Sequence, residues 1–388
     1  MSNDQGKDRA DIPLTRRRWL VLSLAASAAG CGGGGSSLMV AGLPGTGGTG
    51  IGVRSTGPIT GFGSVIVNRV RFDDTNAQVT LDGQADVSTS LRLGMVVNLQ
   101  GERDAAGLVG KANAIDVWSI AQGQVGSITG GQFVVAGMVI QTDPGTVLDG
   151  LTAMANLSPG SWVKVWGLQA SSDASTWNAT RVAVVQSGDT VSSGLCVQQG
   201  GHFYINGLRL TDTSGYQIQS GMLVRAQGTL ADANTSLALK SYLPLGLDAT
   251  QTATGEVEVS GLVTSMSSSR QFVLGNVAID ARLATVSGGT ITVGQRVEVE
   301  GSWQGGGIVA KSVEIESSQS LDSAEIEAKI EAFTSLANFV VRGQRCDGSG
   351  LKQIQGGTAA DLRVGVKVHV KGVKQGEVLL LTQLEIDH

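Results

Sequence analysis

Gly365-Val366-Lys367-Val368-His369-Val370-Lys371-Gly372 alternates apolar and polar residues between two glycines, which is the pattern of a half-buried strand. Leu362 precedes the first of these glycines by three positions. The same arrangement of an apolar residue, two residues, Gly, six residues and Gly occurs at Leu91/Gly94/Gly101, Leu157/Gly160/Gly167, Ile218/Gly221/Gly228 and Ile291/Gly294/Gly301. A small β unit is therefore copied about every 65 residues, and the repeat sets the fold before any single element does. No copy carries a catalytic set of residues.

A second signature precedes the first in each copy. It reads Val65-Ile66-Val67-Asn68-Arg69-Val70-Arg71-Phe72 in the first, Phe203-Tyr204-Ile205-Asn206-Gly207-Leu208-Arg209-Leu210 in the third, and has counterparts starting at Phe133, Phe272 and Phe339. Two alternating runs around a pair such as Asn-Gly predict a β-hairpin, because tight primed turns need positive φ. A leading strand before the hairpin and an aliphatic closing strand after the Gly pair complete each unit. Five short strands in so few residues bury a core by curling closed. The expected fold class is all-β: five tandem small OB-like modules, each a five-stranded, partly open β-barrel. The paired glycines are expected where a side chain would clash. The expected boundaries are a signal segment at 1–31, a Gly-rich tether at 32–56, and modules at 57–120, 121–188, 189–250, 251–318 and 319–388. Glu325–Phe333 has helix formers with i,i+4 charge pairs but also a period of two in the leading-strand slot, so the repeat predicts strand.

The N-terminus reads as an address. Arg16-Arg17-Arg18 forms a basic region, and Trp19 to Gly30 is apolar but too short to span a bilayer. Ala28-Ala29-Gly30-Cys31 resembles the lipobox of bacterial lipoproteins, which implies lipidation at Cys31. Thr15-Arg16-Arg17-Arg18-Trp19-Leu20 also resembles a twin-arginine signal, so both export routes fit. Gly32 rather than Asp follows Cys31, which by resemblance to enteric lipoproteins implies an outer-membrane address facing the periplasm or the surface. Leu43-Pro44-Gly45-Thr46-Gly47 matches a sortase motif but reads as part of the tether. The chain carries a net charge of −5, and about −7 once residues 1 to 30 are removed. An acidic chain without a basic block makes a poor nucleic-acid binder, so no nucleic-acid partner is expected.

Candidate chemistry is sparse. His202, His369 and His388 show no metal-ligand spacing, and His369 is expected on a solvated strand face. No metal or cofactor is expected. Cys196 and Cys346 lie in different repeats. Cys346 occupies a slot held by Phe72, Ile140, Leu210 and Ile279 elsewhere, which predicts a buried free thiol. Glu256 and Glu258 share one strand face, and Glu298 and Glu300 share another. Solvated faces are the expectation, with a cation site as the alternative if the two faces meet. Trp162, Trp166 and Trp177 cluster in the second copy. Exposed together, Trp162 and Trp166 would form a stacking platform for a sugar ring; Trp166 stands where sister copies hold Gln100 and Glu300, outside the recurrent apolar slots.

The repeats resemble a bacterial domain-of-unknown-function family, number 5666. Its Gly-x-Val leading strand matches Gly63-Ser64-Val65. Its hairpin ending in an apolar residue plus Asp matches Phe72-Asp73, its paired-glycine strand matches Leu91 through Gly101, and its closing Ala-x-x-Ile matches Ala112 to Ile115. The first copy matches best, the fourth and fifth match well, and the second and third diverge. The resemblance implies exported, often lipid-anchored tandem modules and no activity. The functional expectation is a non-enzymatic, lipid-anchored cell-envelope protein, a binding or scaffolding arm whose partners are envelope protein or glycan. The alternative is a carbohydrate-binding array using the module 2 tryptophans.

Overall fold

The computed structural model describes residues 51–245, 256–317 and 322–387. Cys31, the signal segment, His388 and the sortase-like motif lie outside the described residues.

Each of the five repeats closes into a five-stranded barrel. In module 1 the leading strand Ile51–Phe62 pairs antiparallel with Val65–Val67, which turns into Val70–Asp73. Val70–Asp73 runs parallel to the closing strand Val109–Val117. That strand pairs antiparallel with the paired-glycine strand Val96–Arg103, which returns antiparallel to the leading strand. The same circuit of pairings recurs in module 2, module 3, module 4 and module 5. This is the OB-like order; the connection before the paired-glycine strand holds a 3-10 turn in modules 1, 2 and 5, at Ser88–Ser90, Met154–Asn156 and Ala359–Asp361, and in module 1 also the paired short strands Gln78–Leu81 and Gln84–Asp86. Ser323–Ser335 is a strand, as the repeat requires. The first leading strand begins at Ile51, inside the stretch expected to be tether.

The two glycines of the repeat have separate physical jobs. The first, at Gly94, Gly160, Gly221, Gly294 and Gly365, has φ between 77° and 89°, a conformation glycine adopts at low cost. There its N–H donates to the leading strand, at Ile59, Val125, Cys196, Val263 and Ile330 in turn, over 2.7–2.9 Å. The second glycine marks a register shift against the closing strand in every module. A Cβ there would stand 1.9–2.5 Å from a closing-strand carbonyl oxygen, so only glycine lets the strands meet while the barrel bends.

The modules are not beads on a string. The leading strand of module 1 runs parallel to that of module 4 over Val53–Thr56 and Glu256–Val259, and meets that of module 5 at Gly61/Glu325 and Phe62/Ile326. Modules 2 and 3 touch at Gln122/Val191. The apolar cores of modules 1 and 5 are continuous and also take in Val147, Trp166 and Ala183 of module 2. Small barrels bury little surface alone, and this sharing extends their cores. The expected arm is therefore a cluster with module 1 at its centre.

Candidate functional site

The charged residues of the repeat gather at the boundaries between modules. Arg103, at the end of the paired-glycine strand of module 1, has a side chain only 6% exposed. It forks onto Glu256 and Glu258 and reaches Glu300 at 2.6 Å, all on module 4. Ser55 Oγ donates to Glu258 at 3.2 Å and Lys311 reaches Glu300 at 3.1 Å. Burial works against the charge of Arg103, but its three carboxylates outweigh that and raise its pKa. Burial likewise opposes ionisation of Glu300, and Arg103 and Lys311 outweigh it, so that carboxyl sits below its usual range. Of the three acids around this guanidinium, the most buried is the one whose ionisation is most strongly opposed. Glu258 is pushed up to about 7 by burial, against the pull of Arg103 and with the push of Glu298 and Glu300.

Glu298 belongs to the same strand as Glu300. Arg69, in the hairpin turn of module 1, approaches it at 3.4 Å and forks onto Glu314. Burial, with Glu316 and Glu314 nearby, raises Glu298 to about 7 against the pull of Arg69. The two acidic faces noted in the sequence do meet, since Glu258 stands opposite Glu300 and Ser260 opposite Glu298. They are neither solvated nor arranged around a cation: arginines of module 1 fill them. Among the described residues no group of three or more His, Cys, Asp or Glu is placed to hold a metal ion.

Two further junctions follow the same rule. Arg71 of module 1 meets Glu325 of module 5, and Glu325 also takes His369 Nε2 at 2.6 Å and Lys371 at 3.3 Å. His369 is thus a half-buried partner rather than part of a solvated face. Asp82 of module 1 binds Lys164 of module 2 at 2.5 Å and Arg225 of module 3 at 2.9 Å. Arg225 is 1% exposed, donates to Ser119 O at 2.7 Å and lies 5.3 Å from the Trp118 ring centre. Lys164, Arg225, Glu298 and His369 all stand four residues after the first glycine of their repeat. Each contributes a side chain to one of these charged clusters. The readable signal was a fixed repeat position that is charged or ionisable in four copies.

The tryptophans do not share an exposed face. Trp166 and Trp177 are 4% and 5% exposed, and Trp162 is half-buried. Trp177 belongs to the core of its own barrel and donates Nε1–H to Ala174 O at 3.0 Å. Trp166 packs outward into the joint core of modules 1 and 5, which explains its place outside the recurrent apolar slots. Burial of Trp166 leaves no paired platform of Trp162 and Trp166. His202 is exposed, and Cys196 and Cys346 are buried free thiols.

A cavity of about 480 Å³ opens where modules 1, 2, 4 and 5 converge, lined by Arg69, Glu298, Glu316, Arg296 and Lys374 among others.

Three regions of the chain, 122–183, 260–314 and 327–382, match the family model described as Domain of unknown function (DUF5666). The three matched regions fall in modules 2, 4 and 5, and the repeats there are similar to this family. The match falls on the second copy, expected to diverge, and not on the first, expected to match best. No curated protein matches the sequence significantly. A solved structure titled "drosophila Unr CSD456" aligns with 13% identity over 52% of this chain and 99% of that chain, at a TM-score of 0.17; so low a score carries no argument.

Proposed function

We propose that this is a non-enzymatic, lipid-anchored protein of the bacterial cell envelope, whose five barrels act together as one binding or scaffolding body. The observation that carries this reading is the use of the strand acids. Glu256, Glu258, Glu298, Glu300 and Glu325 are all engaged by basic side chains, chiefly arginines from a different module. Groups that would otherwise serve as acids, bases or ligands hold modules together, which is the economy of a scaffold. The address rests on the basic region, the short apolar run and the small residues before Cys31. The membrane is engaged through lipid on Cys31, and the partner is an envelope protein or glycan rather than nucleic acid.

Labelled palmitate should be incorporated by the wild-type protein and not by Cys31→Ala, which should accumulate as an uncleaved or mis-sorted precursor. A wild-type protein that takes up no label and fractionates as freely soluble would contradict the anchoring. Crosslinking in intact envelopes tests the scaffold reading: a reproducible protein or glycan adduct is expected, and its consistent absence would count against it.

A further inference from the structure

The cavity between the four modules contains two cations that the described residues leave weakly neutralised. Arg296 begins the paired-glycine strand of module 4, and its side chain is 7% exposed. Its one carboxylate partner among the described residues, Asp143 Oδ2, lies 3.5 Å from Nη2 and also accepts from Asn178 Nδ2 at 3.1 Å. Arg296 Nε has no acceptor among the described residues. A buried guanidinium with an unmet donor costs stability unless something else accepts from it. Lys374, from the module 5 strand Lys367–Gln375, gives its Nζ a backbone carbonyl, Gly145 O at 2.9 Å, and no carboxylate among the described residues. Burial and the neighbouring Arg296 charge push Lys374 down to about 8, against the weaker pull of Asp143, Asp322 and Glu316. The other two cations of the cavity are engaged, Arg69 by Glu298 and Glu314 and Lys371 by Glu325.

Apolar groups of Ile59, Ile66 and Val373 line the same space. A volume of about 480 Å³ falls within the roughly 300–1,000 Å³ of small-ligand sites. A guanidinium fork suits a planar carboxylate. Glu316, which accepts from Ser260 Oγ at 2.6 Å, lines the cavity too and would repel a dianion more than a monoanion.

We propose that this cavity binds a small organic carboxylate, with its anionic head between Arg296 and Lys374 and its apolar body against Ile59, Ile66 and Val373. The inference does not depend on where the protein resides. Its test is isothermal titration of the full chain with sodium benzoate, checked by ligand-observed NMR. Benzyl alcohol serves as the neutral match and inorganic phosphate as a compact oxyanion. Benzoate should bind saturably at one site, with benzyl alcohol and phosphate far weaker. Lys374→Met and Arg296→Met should each weaken benzoate by about tenfold or more, the loss of one charge-assisted contact. Lys374→Met removes a disfavoured cation and should keep the wild-type unfolding midpoint, so its result stands even if Arg296→Met folds poorly. Absence of saturable benzoate binding, phosphate binding as tight as benzoate, or unchanged affinity in Lys374→Met would each overturn the assignment.

Discussion

At the scale of the residue, the second glycine of each repeat is fixed by steric contact with the closing strand. At Gly228 an added Cβ would stand 1.9 Å from Ala238 O, and the atom it meets is backbone that cannot rotate away. Gly228→Ala should destabilise the protein by about 2–3 kcal/mol, the usual cost of forcing atoms into a packed site. Gly52→Ala is the control: its Cβ would meet nothing within 4 Å, and its effect should stay within about 0.5 kcal/mol. Urea unfolding of the two variants checks both, and equal midpoints would contradict the steric reading. These glycines were legible because steric need repeats with the fold. Trp166 was half legible. Its slot showed that it was no ordinary barrel-core residue, but a local pattern does not distinguish a ring facing solvent from one facing another module.

At the scale of the element, module docking rests on pairs distant in sequence. Arg103→Met would leave Glu256, Glu258 and Glu300 close together without their shared cation. A loss of about 3–5 kcal/mol is expected at neutral pH, as for other broken buried pairs, and a smaller loss at pH 5, where Glu258, raised to about 7, holds a proton. Thermal unfolding at both pH values measures this; a pH-independent effect would argue against an electrostatic clamp. The wild type should also respond to pH. Glu258 and Glu298 are raised from 4.5 to about 7 in the folded protein. Each therefore binds a proton more tightly folded than unfolded. Their contribution is fully present below about pH 4.5 and is lost as pH rises through about 7. Tm should fall between pH 5 and pH 8, and the Glu258→Gln/Glu298→Gln double variant should flatten that slope. Trp166→Ala should cost about 3–5 kcal/mol through docking of module 2. Hydrogen exchange should then quicken at Thr180 and Arg181, which bond to Gly94 O and Leu93 O of module 1, while Val163 and Val165 in the barrel core stay protected. Uniform loss of protection across module 2 would place Trp166 in the barrel rather than in the joint.

At the scale of the whole molecule, the barrel repeat could be read from sequence because every copy states it again. The assembly could not. Arg103 and Glu258 are 155 residues apart, and nothing in a tandem pattern says that module 1 should dock on modules 4 and 5 as well as on its neighbour. The acidic faces were visible, but their counter-ions sat in another repeat. The first repeat, expected to match its family best, holds the hub position instead. Its Arg69, Arg71, Asp82 and Arg103 serve contacts with other modules, so its surface answers to this one chain as well as to the barrel. Small-angle X-ray scattering of a chain beginning at Thr49 tests the clustered architecture most directly. One joined body over Thr49–His388 should give a radius of gyration of roughly 20 Å by chain-length scaling. Five barrels of roughly 11 Å each strung end to end, on the same scaling, would give about 35 Å or more, and that value would contradict the account.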